Sequence, residues 1–150
     1  MKAKKAFILL VEDNPNDVEL TRRALKGQGI HEEIVHVADG VEALDFLFGE
    51  GMHRGRDTGH KPVVVLLDLK MPKIDGLQVL KRIRAHPLTD MLPVVILTTS
   101  NEERDLMDSY RFGANSYVRK PINYEEFSEV IGQIGKYWLL INEFPPYRRS

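Results

Sequence analysis

Three short runs of contiguous apolar residues punctuate the chain: Phe7 to Val11, Val63 to Leu67 and Val94 to Leu97. Runs of four or five residues, rich in β-branched side chains and bounded by polar ones, read as strands covered on both faces. Glu33 to Ala38 and Ser116 to Arg119 carry the same signal more weakly. Between these runs the period lengthens to that of a helix. Asn14-Pro15-Asn16-Asp17 offers an Asn cap, a proline at the first helical position and a first-turn acid, and the helix runs toward Gly27. Asp39-Gly40-Val41-Glu42 repeats the cap before Leu44, Leu47 and Phe48. Leu77, Leu80 and Ile83 recur between Asp75 and His86, and Pro87 stops that helix. Asn101 precedes a polar helix ending at Gly113. Asn123, with Glu126 three residues on, has the form of a capping box opening a last helix to about Asn142.

Strand and helix therefore alternate five times, which implies a parallel sheet with helices on both faces, joined by right-handed crossovers. A doubly wound, five-stranded α/β sheet of flavodoxin-like order 2-1-3-4-5 fits 150 residues as one domain spanning 1–142, with an inserted loop at 49–61 and a tail at 143–150. A second, DNA-reading domain does not fit beside it. The 21 basic and 22 acidic residues give a net charge of −1, so no overall field draws in nucleic acid or an acidic membrane. The absence of cysteine excludes thiolate catalysis, Fe–S clusters and cysteine-bound zinc. The apolar run after the basic N-terminus is too short for a signal peptide or a membrane span, and the expected location is cytoplasmic.

In such a sheet, ligands bind beyond the C-terminal ends of the strands. The first strand ends in Glu12-Asp13, the third in Asp68, the fourth in Thr98-Thr99-Ser100 and the fifth in Lys120-Pro121. Helix capping is a sufficient reading of the acid pair taken alone. Delivered together to one sheet edge, three carboxylates repel one another unless a cation lies among them. Oxygen-only donors with room for water suit Mg²⁺. A carboxylate held beside a metal can attack phosphorus and form an aspartyl phosphate, with a lysine and a threonine hydroxyl offsetting charge on the phosphoryl oxygens.

The strings LLVEDNPND, VVVLLDLKMPKIDG, PVVILTTS and GANSYVRKPI, in order over about residues 5–135, resemble the signatures of the response-regulator receiver domain. The resemblance implies a CheY-like fold in which Asp68 accepts the phosphoryl group. It also implies that Glu12 and Asp13 hold Mg²⁺ with Asp68 and the backbone carbonyl of Lys70. Thr98 is then the switch hydroxyl, Lys120 the lysine of the site, Tyr117 the aromatic switch residue and Pro121 a cis-proline. The Lys70 side chain reads either as solvated or as reaching toward the phosphoryl group or the acid pair. Met71-Pro72-x-x-Asp75-Gly76 reads as plain turn chemistry.

Two features depart from the family pattern. Gly49 to Lys61 is long, glycine-rich and basic, a length usually functional or disordered, and its His53 and His60 read as solvated rather than metal-binding. Beyond Phe127, Val130, Ile131 and Ile134, the segment Tyr137 to Ile141 is apolar on every side and must be buried somehow. Either it folds back on the core, or Tyr137, Trp138, Phe144 and Tyr147 form a protein-binding surface. Loop and tail together resemble the stand-alone regulators that partner phytochrome-type or hybrid sensor histidine kinases and often pair as homodimers. That places self-association on the face from the fourth strand to the fifth helix and on the tail. An aspartyl-phosphate phosphatase is disfavoured because Lys70 stands where such enzymes carry a second acid. A phosphate-independent interaction module is disfavoured because every phosphorylation residue is present. No glycine-rich phosphate loop supports a flavin or dinucleotide role.

Overall fold

The computed structural model describes residues 5–146. Five strands, β1 (Phe7–Val11), β2 (Glu33–Val37), β3 (Val64–Leu67), β4 (Val94–Thr98) and β5 (Ser116–Arg119), form one parallel sheet of order β2-β1-β3-β4-β5. The helices are α1 (Pro15–Gly27), α2 (Gly40–Phe48), α3 (Gly76–Ala85), α4 (Glu103–Arg111) and α5 (Tyr124–Lys136). The doubly wound order expected from the alternation is the order observed.

The period-2 geometry of a strand explains why the central runs are apolar throughout. Phe7, Leu9, Val11, Val65, Leu67, Val94 and Ile96 face a core shared with α2 and α3. Ile8, Leu10, Val64, Leu66, Val95 and Leu97 face the opposite core, built with α1 and α5. Side chains of successive residues point to opposite sides, and both sides are covered. β2 and β5 lie at the sheet edges and are only partly buried, hence their diluted pattern.

Capping follows the sequence closely. The side-chain oxygens of Asn14, Asp39, Asp75 and Asn123 each accept amide hydrogens of the first helical turn they precede. Each such cap contributes about 1 kcal/mol. α4 differs: Asn101 does not cap it. The helix begins after Glu102, whose amide donates to Ser100 Oγ at 3.2 Å.

Glycines stand where elements approach closely. A Cβ on Gly76 would collide with the carbonyl of Asp68 and the Cα of Leu69, so the start of α3 presses directly against the backbone after β3. On α5, a Cβ at Gly132 or Gly135 would meet Gln28, or Leu25 and Ile30, at the end of α1. These two residues weaken an isolated helix, yet here they let α1 and α5 pack closely.

The 49–61 loop is a packed structure. Gly51–His53 forms a 3₁₀ turn, and Arg56 lies 4.0 Å over the Phe46 ring while its Nε donates to the Phe46 carbonyl at 2.6 Å. His53 pairs with Glu42 at 3.2 Å, and His60 packs on Phe7 with ring centroids 4.9 Å apart. The two histidines are thus structural contacts rather than solvated side chains.

Past Lys136, α5 continues as a π-helical turn over Tyr137–Ile141. Trp138 turns into the α1/α5 core and is buried there. That corrects its assignment to a docking surface: Trp138 follows Ile134 by four residues and Ile131 by seven, so helical spacing carries the indole onto the buried face of α5. Leu140 and Ile141 stay 71% and 67% exposed, and Tyr137 and Phe144 are partly exposed. Tyr147 lies outside the described residues.

Candidate functional site

Register assembles the site. Val11 pairs with Leu67, and Leu67 with Ile96, so Glu12 and Asp68 emerge level at the C-terminal edge with Thr98 close beside them. The backbone ladder runs one residue past the strands: Glu12 N donates to Val37 O and Asp68 N to Val11 O, both at 3.1 Å, and Lys120 N to Thr98 O at 2.8 Å. These bonds hold the functional side chains on rigid backbone. Glu12 and Asp68 are only 3% and 8% exposed, Thr98 is fully buried, and Asp13 faces solvent. One oxygen from each of Glu12, Asp13 and Asp68 lies within 4.8 Å of the others. Lys120, buried, reaches across from β5 and places Nζ 2.5 Å from Glu12 Oε1, 2.9 Å from Asp17 Oδ2 and 3.3 Å from Asp68 Oδ2.

One ammonium thus faces four carboxylates, counting Asp13. Burial, its largest influence, and the neighbouring Asp68 push the Glu12 carboxyl up to about 7, against the opposing pull of Lys120. For Lys120, burial acts to lower the pKa. The bonds to Glu12 and Asp17 and the charge of Asp68 outweigh it and hold the ammonium more firmly protonated than a free lysine. Negative charge remains in excess, and every donor in the cluster is a hard oxygen. Such a set fits a hard divalent cation, with Glu12, Asp13 and Asp68 able to hold it.

A family profile described as "Response regulator receiver domain" matches residues 8–132. The chain belongs to the response-regulator receiver family. It is 39% identical over 146 residues to the probable methanogenesis regulatory protein FilR2 of Methanothrix harundinacea, covering 97% of this chain and 92% of that protein. It is 37% identical to the response regulator Rcp1 of Synechocystis over 88% of each chain. A structure of the Mn²⁺-bound form of Rcp1 superposes with a TM-score of 0.86 at 36% identity, covering 95% of this chain and all of the other. The phosphorylated cyanobacterial phytochrome response regulator RcpA superposes with a TM-score of 0.87 at 36% identity and the same coverage. No helix among the described residues of this receiver is long and apolar enough to cross a membrane.

Tyr117 lies half-buried against the α2/α3 core, its hydroxyl donating to the Ser100 carbonyl at 3.0 Å. Thr98 Oγ1 accepts from Ser100 N at 3.3 Å. The Lys70 side chain does not turn to the acid pair: it is held by Asp105 of α4, Nζ to Oδ2 at 3.3 Å. Asp105 is lowered from the usual carboxylate range chiefly by the Ser100 hydroxyl, which donates to it at 2.6 Å, and also by Lys70. No described peptide bond is cis, so the Lys120–Pro121 bond departs from the cis-proline implied by the family. Trans is the lower-energy isomer of a proline bond, and in it Lys120 already reaches all three acids. Next to the site, Lys73 adopts φ +68° and pairs with Asp39 at 3.2 Å, a left-handed conformation unusual for a side-chain-bearing residue.

Asp17 and Asp105 are the residues that sequence reading missed, and Ser100 was placed at the end of the fourth strand without a role. Asp17 read as a first-turn acid of α1, which it is, but that turn sits directly over the end of β1. Asp105 stands in the corresponding place, on the first turn of α4 after β4. First-turn acids of helices that follow site-bearing strands were the available signal.

Proposed function

We propose that this receiver is a single-domain phosphorylation switch in which Asp68 accepts a phosphoryl group from the phosphohistidine of a sensor histidine kinase, with Mg²⁺ bound. The observation that carries the reading is the convergence on one crevice at the sheet edge of Asp68, two further acids and a lysine that bonds to Asp68 itself. An Asp68 carboxylate oxygen attacks phosphorus, the P–N bond of the phosphohistidine breaks, and the imidazole nitrogen leaves with the electron pair. Glu12, Asp13, Asp68 and the Lys70 carbonyl are the groups that would hold the metal. When bound, Mg²⁺ supplies positive charge against the phosphoryl oxygens. Lys120 supplies the rest from the protein side, and the Thr98 hydroxyl donates to one phosphoryl oxygen.

The added charge of about −2 then acts on two pre-existing arrangements of the segment after β4. Thr98 moving to the phosphoryl group loses its bond from Ser100, and Tyr117 gives up the Ser100 carbonyl. A near-complete swing requires about 5.5 kcal/mol of differential affinity between the states.

The expected kinase is of the phytochrome type, supported by the likeness to a phytochrome response regulator. The expected location is cytoplasmic. Output is through protein contact. Exposed Leu106, Met107 and Tyr110 of α4 with Tyr137, Leu140, Ile141 and Phe144 make the β4–α5 side and the tail the self-association surface of a homodimer.

Phosphorylation is tested by Mg²⁺-dependent labelling with a small phosphodonor. Asp68→Asn abolishes the label; labelling that survives this change refutes the assignment. The dimer is tested by solution mass with beryllofluoride and Mg²⁺, on the full chain and on a chain cut after Lys136. A dimer untouched by the cut removes the tail from the interface.

A further inference from the structure

We propose that Lys70 and Asp105 form a charge latch that sets the phosphoryl affinity of the switch, the Lys70 ammonium passing from the Asp105 carboxylate to the phosphoryl oxygens on Asp68. The inference rests on Asp68 being the phosphoryl acceptor.

The contacts form one continuous chain. Lys70 Nζ lies 3.3 Å from Asp105 Oδ2, and the same oxygen accepts from Ser100 Oγ at 2.6 Å. Ser100 in turn offers its carbonyl to the Tyr117 hydroxyl at 3.0 Å and its amide to Thr98 Oγ1 at 3.3 Å. Lys70 therefore touches, through Asp105, the one residue to which both switch side chains are tied. At its other end Lys70 is already beside the acceptor: its amide nitrogen lies 3.5 Å from Asp68 Oδ1. Asp13, Lys70 and Asp105 line a single cleft of about 320 Å³ together with Leu69, the residue that follows Asp68, so the Lys70 stem lies in open space rather than in packed core.

The two partners differ in freedom. The Asp105 side chain is 11% exposed and fixed by Ser100 and by its place on α4, whereas that of Lys70 is 62% exposed on a long flexible stem. The lysine is the part that moves. A phosphoryl group of about −2 charge competes well against one carboxylate for it. Once Lys70 leaves, Asp105 keeps the Ser100 hydroxyl and the more distant Arg104 charge, and the arrangement that offers Tyr117 its acceptor is weakened. In the unphosphorylated chain the latch opposes phosphorylation; in the phosphorylated chain the same lysine favours it.

The test is beryllofluoride affinity of the full chain in Mg²⁺, measured by calorimetry in a double-mutant cycle. Asp105→Asn keeps the shape and the Ser100 contact but removes the competing charge. Because Lys70 is largely exposed, the pair is worth at most about 1 kcal/mol, so Asp105→Asn tightens beryllofluoride by up to about fivefold. In a Lys70→Met background the same change has no effect, since the shared cation is gone. Equal tightening in both backgrounds, or none in either, overturns the latch and leaves Asp105 a purely local support of α4. If beryllofluoride fails to bind even the unsubstituted chain, the acceptor reading of Asp68 itself falls, and the latch with it.

Discussion

Replacing Lys120 with methionine removes the ammonium that, among the described residues, pairs with Glu12, Asp17 and Asp68, while preserving most of the side-chain volume. At the observed separations of 2.5, 2.9 and 3.3 Å, and an effective dielectric near 20, each carboxylate attracts that ammonium by roughly 5–7 kcal/mol. Desolvation of the buried lysine and mutual repulsion among the acids cancel much of this. Deleting one partner of a buried pair costs about 3–5 kcal/mol, because the other charge is left behind. Glu12 has a partial escape, since a carboxyl already raised to about 7 can take up a proton. A carboxyl whose folded pKa lies above its unfolded value stabilises the fold at low pH, and that contribution is lost as pH rises from about 4.5 through 7. Without Lys120 the folded pKa moves higher still, so the loss continues to higher pH. The variant is therefore least stable relative to the parent near pH 8, by about 3–5 kcal/mol, and closer to it at pH 5. Urea unfolding followed by the fluorescence of Trp138, the single tryptophan, measures this directly. A divalent cation at a hundredfold excess over its Kd adds about 2.7 kcal/mol to any chain that binds it only when folded. A loss under 1 kcal/mol at pH 8 without metal, or the same loss at both pH values, refutes the account of Lys120 as the counter-charge of the cluster.

Gly76→Ala forces a Cβ into the Asp68 carbonyl and the Leu69 backbone, with an expected cost of about 1–3 kcal/mol and slower labelling of Asp68; unchanged stability shows that the backbone there yields freely. Arg84 binds the carbonyls of Gly113, Asp90 and Leu92 and the Asn115 side chain from one guanidinium, so Arg84→Ala is expected to lower the unfolding free energy by about 2 kcal/mol. Lysine at that position restores little, because an ammonium lacks the planar fork. Metal binding releases a proton from Glu12 below about pH 7 and almost none at pH 8.5. Calorimetry at pH 6 in buffers of different ionisation enthalpy reads that proton, and equal heats in all buffers contradict the raised pKa.

The parts of the structure that obey a local period were legible in the linear chain. β1, β3 and β4 are covered on both faces, so their residues are apolar without interruption. Asn14, Asp39, Asp75 and Asn123 announce the helices that follow them because an oxygen at that position bonds amides two or three residues on. The carboxylates, the threonine and the lysine were found the same way, since each immediately follows or ends a strand. β2 and β5 were fainter because an edge strand is half-solvated and tolerates polar residues.

What escaped the sequence depends on contacts between distant segments. Strand order brought Lys120 to the edge where Glu12 and Asp68 stand, but its bond to Asp17 across 103 residues depends on how α1 settles over that edge, and no spacing rule gives it. Gly132 and Gly135 read as weak points of a helix until α1 is laid against them. The apolar tail had two open fates, and packing against the α1/α5 core decided between them for Trp138 while leaving Leu140 and Ile141 outside. Hydrophobic period and capping record which way each residue faces its own element, which is why they determine the fold and the edge where chemistry gathers. The partners of a particular side chain are set by how those elements close on one another, and only the tertiary structure contains that closure.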